Sequence, residues 1–309
     1  MTSFPHRAPS GDDSDLLQLR RSFVRHLAAD GRAPATRIAY VTAVAQLERF
    51  LADQRVPTMV AGLQPDHLGA FFVELYERGM RPTTILARHH ALARFFGWLV
   101  EENELTASPM AAIRAPAATL PHPRVLTRDE ITALLAACDG DAFEDLRGAA
   151  MIRLFIDTGL RRTELAGLQL EDVDLDLNAS YVAGAGRVPR AVPFDKATAR
   201  ALARYLAARA AHDWAHLAHL WLGRRRRLTS RGVDQVVRHR GQLAGLPDLR
   251  TNQFRHTFVQ QFLADGGNRR DLMRLVGWKS RQLLARYRVD RIGTAPREAD
   301  RPFSLVDRL

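Results

Sequence analysis

Three short segments, far apart in the chain, gather the side chains with the most chemical capacity. The first is Thr158-Gly159-Leu160-Arg161-Arg162-Thr163-Glu164-Leu165. The second is Asn252-Gln253-Phe254-Arg255-His256-Thr257-Phe258. The third is Leu275-Val276-Gly277-Trp278, followed nine residues later by Tyr287. Arginine presents a planar, permanently charged fork that grips a phosphate through parallel hydrogen bonds. Tyrosine supplies a phenolic oxygen able to act as a nucleophile, and tryptophan and asparagine supply neutral N–H donors. Each residue also has a plain structural reading: a surface arginine, a phosphate clamp without chemistry, a half-buried packing tyrosine. Context lifts them above it. Arg161 directly follows Thr-Gly-Leu, Arg255 opens Arg-His-Thr-Phe, and Tyr287 is one of only five tyrosines, placed just beyond Trp278.

The bulk composition points the same way. All but two of the 45 basic residues are arginine, the lysines being Lys196 and Lys279, and they outnumber 34 acids to leave a formal charge of +11. A GC-rich coding sequence explains the Arg/Lys ratio but not the net excess, which favours a nucleic-acid partner. With 309 residues, 46% of them hydrophobic, the chain suffices for two cores. No uncharged apolar run is long enough to span a bilayer, so no membrane role is expected. The leader MTSFPHRAPSGDDSD has no apolar signal core. Cys138, the single cysteine, excludes an internal disulfide, and the expected location is the cytoplasm.

The elements that must position these residues fall into two groups. Residues 1–13 read as a disordered leader. Residues 14–113 read as a four-helix domain: Leu16, Leu19, Phe23 and Leu27 recur at helical spacing, Pro34 opens a second helix, Asp66 is expected to cap a third that Gly79 ends, and Pro82 begins a fourth. Residues 114–124, with three prolines, form a linker. A second domain, 125–290, restarts at a capping box of Thr127 and Glu130. Helices are expected near 145–157, from the Arg161 segment onward, and over 197–211, 230–244, 252–265, 269–276 and 281–287. Short strands at 173–175, 180–183 and 191–194 make one small antiparallel sheet, the last two flanking a turn at Gly184-Ala185-Gly186-Arg187-Val188-Pro189-Arg190. Residues 291–309 form a polar tail. The fold class is therefore mainly α with a small antiparallel β-sheet.

The four signatures Thr-Gly-Leu-Arg, Arg-His-Thr-Phe, Leu-Val-Gly-Trp and a late tyrosine, in this order and spacing, resemble the boxes of the tyrosine recombinases, the phage integrase family, over residues 14–290. Any one box is weak; four in register are specific. The resemblance implies a SAM-like core-binding domain followed by a catalytic domain of the DNA breaking-rejoining enzyme fold, closing as a C-shaped clamp on double-stranded DNA. It implies site-specific cleavage and rejoining through a 3′-phosphotyrosine, with no metal or cofactor, by a homotetramer on two DNA sites. It assigns Tyr287 as nucleophile and Arg161 and Arg255 to the nonbridging oxygens of a phosphorane-like transition state. Trp278, where many relatives carry histidine, and Asn252 donate hydrogen bonds. Arg37, Arg88, Arg187 and Arg190 are expected to contact DNA, and the tail to dock on a neighbouring protomer.

Two positions depart from the family pattern. The hairpin usually reads Gly-Lys-Gly, its lysine protonating the leaving 5′-oxygen; here Ala185 cannot donate a proton. Asn252 replaces the usual histidine three residues before Arg255 and cannot act as a general base. A catalytically impaired DNA-binding relative and a type IB topoisomerase-like relaxase are the alternatives these departures leave open. His256 reads as a brace for the site, and Glu164 as a local cap or an orienting partner for a nearby cation. His212, His216 and His219 read as part of a solvated linker rather than a zinc site.

Overall fold

The computed structural model describes residues 15–117, 122–183 and 189–278, together with Leu284 and Tyr287. The expected leader, Ala185, Arg187, the Gly184–Val188 turn, most of the expected helix over 281–287 and the tail over 291–309 lie outside the described residues. The chain divides into two compact units, Met1–Pro121 and His122–Leu309.

The first unit is built from α1 (Leu16–Ala29), α2 (Pro34–Asp53), α3 (Pro65–Glu77) and α4 (Pro82–Glu101). Prolines open the last three, where the missing N–H costs no intrahelical bond. Asp66 does not cap α3. Pro65 takes the first helical position, so the cap falls one residue earlier on Gln64, whose backbone N–H donates to Nδ1 of His67. Asp66 sits in the first turn, where its charge still suits the helix dipole. The core joins Leu16, Phe23 and Leu27 of α1 to Val44, Leu47 and Leu51 of α2, Leu68 and Phe71 of α3, and Leu92, Phe95 and Phe96 of α4. Phe23 and Phe95 meet edge to face at 5.1 Å.

The second unit surrounds α6 (Phe143–Thr158), whose residues Ala150 to Thr158 are buried except for Arg153. Around it lie α5 (Arg128–Ala136), α7 (Arg162–Gly167), α8 (Lys196–Ala210), α9 (Ser230–Leu243), α10 (Thr251–Ala264) and α11 (Arg269–Val276). The Thr127–Glu130 capping box starts α5 as the sequence predicts. Strands β1 (Val173–Asp174), β2 (Ala179–Val182) and β3 (Arg190–Pro193) form an antiparallel sheet in that order, with Ser180 opposite both Val173 and Val192. Val182 and Val192 turn inward to the main core with Phe155, Phe194 and Trp221. A smaller core, Phe258, Val259, Leu272, Val276, Leu284 and Tyr287, joins α10 and α11 to the tyrosine segment. Cys138 is buried. Among the described residues no helix is long and apolar enough to cross a membrane, and no cluster of three or more His, Cys, Asp or Glu could hold a metal ion.

Candidate active site

The site is assembled at helix ends. Gly159 closes α6 in a left-handed conformation, φ 57° and ψ 26°. A Cβ there would stand 2.6 Å from Cδ1 of Phe258. Glycine alone tolerates both the backbone angle and that approach. The turn delivers Arg161 to the N-cap of α7. Three residues on, Glu164 accepts from the Arg161 backbone N–H at 2.8 Å and from its guanidinium at 2.9 Å. The same carboxylate accepts from Nη2 of Arg190, on β3, at 3.0 Å. Burial works to raise the Glu164 pKa. The bonds from Arg190 and the Arg161 backbone, with the two guanidinium charges, outweigh it and hold the carboxyl below its ordinary value.

Arg255 points inward from α10 and is buried. Its Nη1 donates to the carbonyl of Gly159 at 2.8 Å and its Nη2 to the carbonyl of Val276 at 2.5 Å. These carbonyls lie where α6 and α11 end, and α11 also ends on a left-handed glycine, Gly277. Helix C-termini leave carbonyls unpaired and carry partial negative charge, so they satisfy a buried cation without a carboxylate. Burial lowers the Arg255 pKa to about 9, as does the charge of Arg161; Glu164 opposes, Arg190 lowers it further and Tyr287 opposes. The group remains a cation at neutral pH. Its guanidinium stands 5.5 Å from the centroid of the Trp278 ring, which the Gly277 turn projects from α11.

Tyr287 is 7% exposed. Its hydroxyl lies 2.5 Å from Nδ1 of His256, and its ring centre is 5.8 Å from that of His256 and 5.9 Å from that of Trp278. Arg161, Asn252, Arg255, His256, Trp278 and Tyr287 all line one open cleft of about 720 Å³. Arg162, Arg238 and Arg250 add positive charge to its wall; among the described residues the one lining carboxylate is Asp234, which pairs with Arg162 at 3.6 Å and Arg238 at 2.9 Å. Thr251 and Asn252 at the start of α10 also face it, so a helix N-terminus borders the cleft. Such a lining attracts an anion.

The structure thus brings the five residues of the three signatures to one cleft, across as much as 126 residues of chain between Arg161 and Tyr287. Arg190 is engaged within the protein. Its side chain is 12% exposed and its head is engaged by Glu164 and, through Nε at 2.7 Å, by the carbonyl of Leu275. It therefore joins β3 to α7 and α11. Arg37 and Arg88 belong to the first unit. Arg88 donates from Nε to Gln46 at 2.6 Å, tying α4 to α2, and Arg37 lies half-buried on α2. The sequence suggests only a bracing role for His256; the structure in addition bonds it to the phenol of Tyr287. The available signal was its spacing: His256 lies four residues after Asn252, so on a helix both face one side.

The sequence matches the phage integrase family over residues 124–291 and the phage integrase N-terminal SAM-like domain over residues 21–103. It is 31% identical over 258 residues to tyrosine recombinase XerC of Mycobacterium tuberculosis, covering 81% of this chain and 86% of that protein. It is 34% identical over 216 residues to tyrosine recombinase XerD of Caulobacter vibrioides, covering 67% of this chain and 71% of that protein. The fold is similar to that of the Tn1549 transposon integrase in complex with transposon right end DNA, with a TM-score of 0.72 at 17% identity over 89% of this chain and 95% of that one. It is also similar to a lambda integrase tetramer bound to a Holliday junction, with a TM-score of 0.68 at 18% identity over 88% of this chain and 79% of that one.

Proposed function

The chain belongs to the phage integrase family, the tyrosine-type site-specific recombinases, and from that membership we propose how its own residues carry out strand cleavage and rejoining. Tyr287 attacks a backbone phosphorus of double-stranded DNA. The Oη–P bond forms, the P–O5′ bond breaks, and the 3′-phosphate is held as a phosphotyrosine ester while the 5′-hydroxyl departs. Attack of another 5′-hydroxyl reverses the step on a new strand. Bond energy is conserved because one phosphodiester is exchanged for another.

Arg161 and Arg255 stabilise the charge that gathers on the nonbridging oxygens. Arg255 carries five N–H donors and gives one to each of two helix-end carbonyls. Three remain for a phosphate, and the tether fixes the plane in which they lie. Such preorganisation is where electrostatic catalysis gains most, since no dipole has to reorient during reaction. Asn252 and the Trp278 indole add neutral donors at the rim, and neither carries a proton in or out. Glu164 holds Arg161 in place and is itself held by Arg190.

Residues 14–113 act as the core-binding domain, with Arg37 and Arg88 toward the DNA backbone, and 125–290 as the catalytic domain, joined by the 114–124 linker. Arg187 is an additional phosphate contact. The lambda integrase tetramer on a Holliday junction supports a tetramer of this chain on two DNA sites. The place of action is the cytoplasm, where the DNA is.

The convergence of Arg161, Arg255 and Tyr287 on one cationic cleft carries this reading. A duplex nicked near the crossover point tests it, because the departing strand diffuses away and traps the ester. A covalent protein–DNA adduct is expected from the wild-type chain and none from Tyr287→Phe. Tight DNA binding with no adduct favours a DNA-binding relative that has lost cleavage.

A further inference from the structure

The proposed chemistry needs a group to take the phenolic proton, and the position where the family places a histidine holds Asn252. We infer that His256 is the general base of this enzyme, accepting the Tyr287 proton on Nδ1. The inference rests on the cleavage reading above and adds the residue that activates the nucleophile. Two observations carry it. Nδ1 of His256 lies 2.5 Å from the Tyr287 hydroxyl, within the reach that proton transfer requires. His256 also follows Asn252 by one turn of α10 and shares its cleft, so an imidazole one turn along takes over what the amide cannot do.

The rings are arranged for this role. Tyr287 lies near both His256 and Trp278, with ring centroids at 5.8 and 5.9 Å, and its ring is part of the small apolar core formed with α10 and α11. With the imidazole proton on Nε2, Nδ1 is an acceptor and the phenol is the donor. As Oη closes on phosphorus its proton passes to Nδ1, which leaves an imidazolium. The 5′-oxygen departs on the opposite side of the phosphorus, out of reach of that imidazolium, and takes its proton from solvent water. In rejoining, the attacking 5′-hydroxyl gives its proton back to solvent as the P–O5′ bond forms, and the same imidazolium returns its proton to the departing phenolate, so one residue serves both directions.

Among the described residues, the ionisable groups that share the cleft with His256 are Arg161 and Arg162 of the α7 region, Asp234 and Arg238 of α9, Arg250 and Arg255 at the start of α10, and Tyr287 itself. Histidine is the one among them whose ordinary titration lies near neutrality. Cleavage therefore rises as pH increases through that range, because the neutral imidazole is the working form, and then levels off.

The experiment is single-turnover cleavage of the nicked duplex by the full chain, followed from about pH 5.5 to pH 9. Wild type, His256→Gln, His256→Asn and Tyr287→Phe are compared. The two amides keep a hydrogen-bonding group beside the phenol but cannot accept its proton. The inference predicts that both cleave about 10²–10⁴-fold more slowly near neutrality and lose the rise with pH. If both amide variants match wild type in rate and pH dependence, His256 only positions the phenol and the inference is overturned. Slow cleavage that keeps the wild-type pH dependence also overturns it, because the titrating group is then elsewhere. Absence of an adduct from wild type, or an adduct from Tyr287→Phe, instead removes the cleavage reading itself, and those two controls separate the failures.

Discussion

Gly159→Ala is the substitution whose cost follows most directly from the geometry. Two penalties meet at this residue. Its φ of 57° and ψ of 26° place it in the left-handed region, where a side chain costs roughly 1–2 kcal/mol. The added methyl would also lie 2.6 Å from Cδ1 and 2.9 Å from Cγ of Phe258, which is 2% exposed and has no solvent to retreat into. Overpacking of this kind costs about 1–3 kcal/mol. The expected destabilisation is therefore about 2–5 kcal/mol, a large share of the ~5–15 kcal/mol that holds a typical domain together. Relief of the strain by a shift of the turn would move the Gly159 carbonyl that holds Arg255, so cleavage should fall as well. Urea unfolding followed by tryptophan fluorescence measures the loss as a lower midpoint at constant slope. Phe258→Leu in the same chain isolates the clash: the double substitution should cost less than the sum of the singles, leaving mainly the backbone share. A Gly159→Ala protein as stable as wild type, or a strictly additive double, would refute this account of the turn.

Other outcomes follow from the buried charges. Glu164→Gln removes the carboxylate between Arg161 and Arg190 while keeping its shape. It should cost about 3 kcal/mol, because the largely buried Arg190 loses the acidic partner it has among the described residues, and unchanged unfolding would show that Arg190 is satisfied without it. Asp157 titrates at about 7, raised first by burial and then by the charge of Asp195; its Oδ2 accepts from the Asp195 N–H at 3.0 Å and the Thr198 hydroxyl at 2.7 Å. A carboxyl whose folded pKa exceeds its unfolded value binds its proton more tightly when folded. Its contribution to stability is thus full below about pH 4 and is lost as pH rises toward 7. Asp157→Asn should flatten that part of the stability–pH curve and gain most relative to wild type at pH 8. A parallel pair of curves would contradict the assignment.

Much of the scaffold was legible because its signals are local. Pro34 and Pro82 open helices, Thr127 and Glu130 cap one, and the bounds of α11 follow from its apolar spacing and from the glycine after it. The Asp66 expectation failed within the same local rules: Pro65 claims the first helical position, which leaves the cap to Gln64. The intramolecular partners of Arg190 were not legible because they are far away in sequence, Glu164 by 26 residues and Leu275 by 85, and nothing near Arg190 announces them. The tether of Arg255 to Gly159 spans 96 residues and ends on a backbone carbonyl, an acceptor that every residue offers and no motif can mark. His256 was visible as a residue type but not as a partner of Tyr287, since the two stand 31 positions apart in the chain.

The most direct test of the central claim is to identify the protein atom that carries the DNA. The adduct trapped on a nicked duplex is digested with protease and nuclease and the modified peptide is sequenced by mass spectrometry. The account predicts a 3′-phosphate esterified to the Tyr287 hydroxyl. A nucleotide attached to any other residue, such as the exposed Tyr181, or attached through its 5′-phosphate, would contradict it.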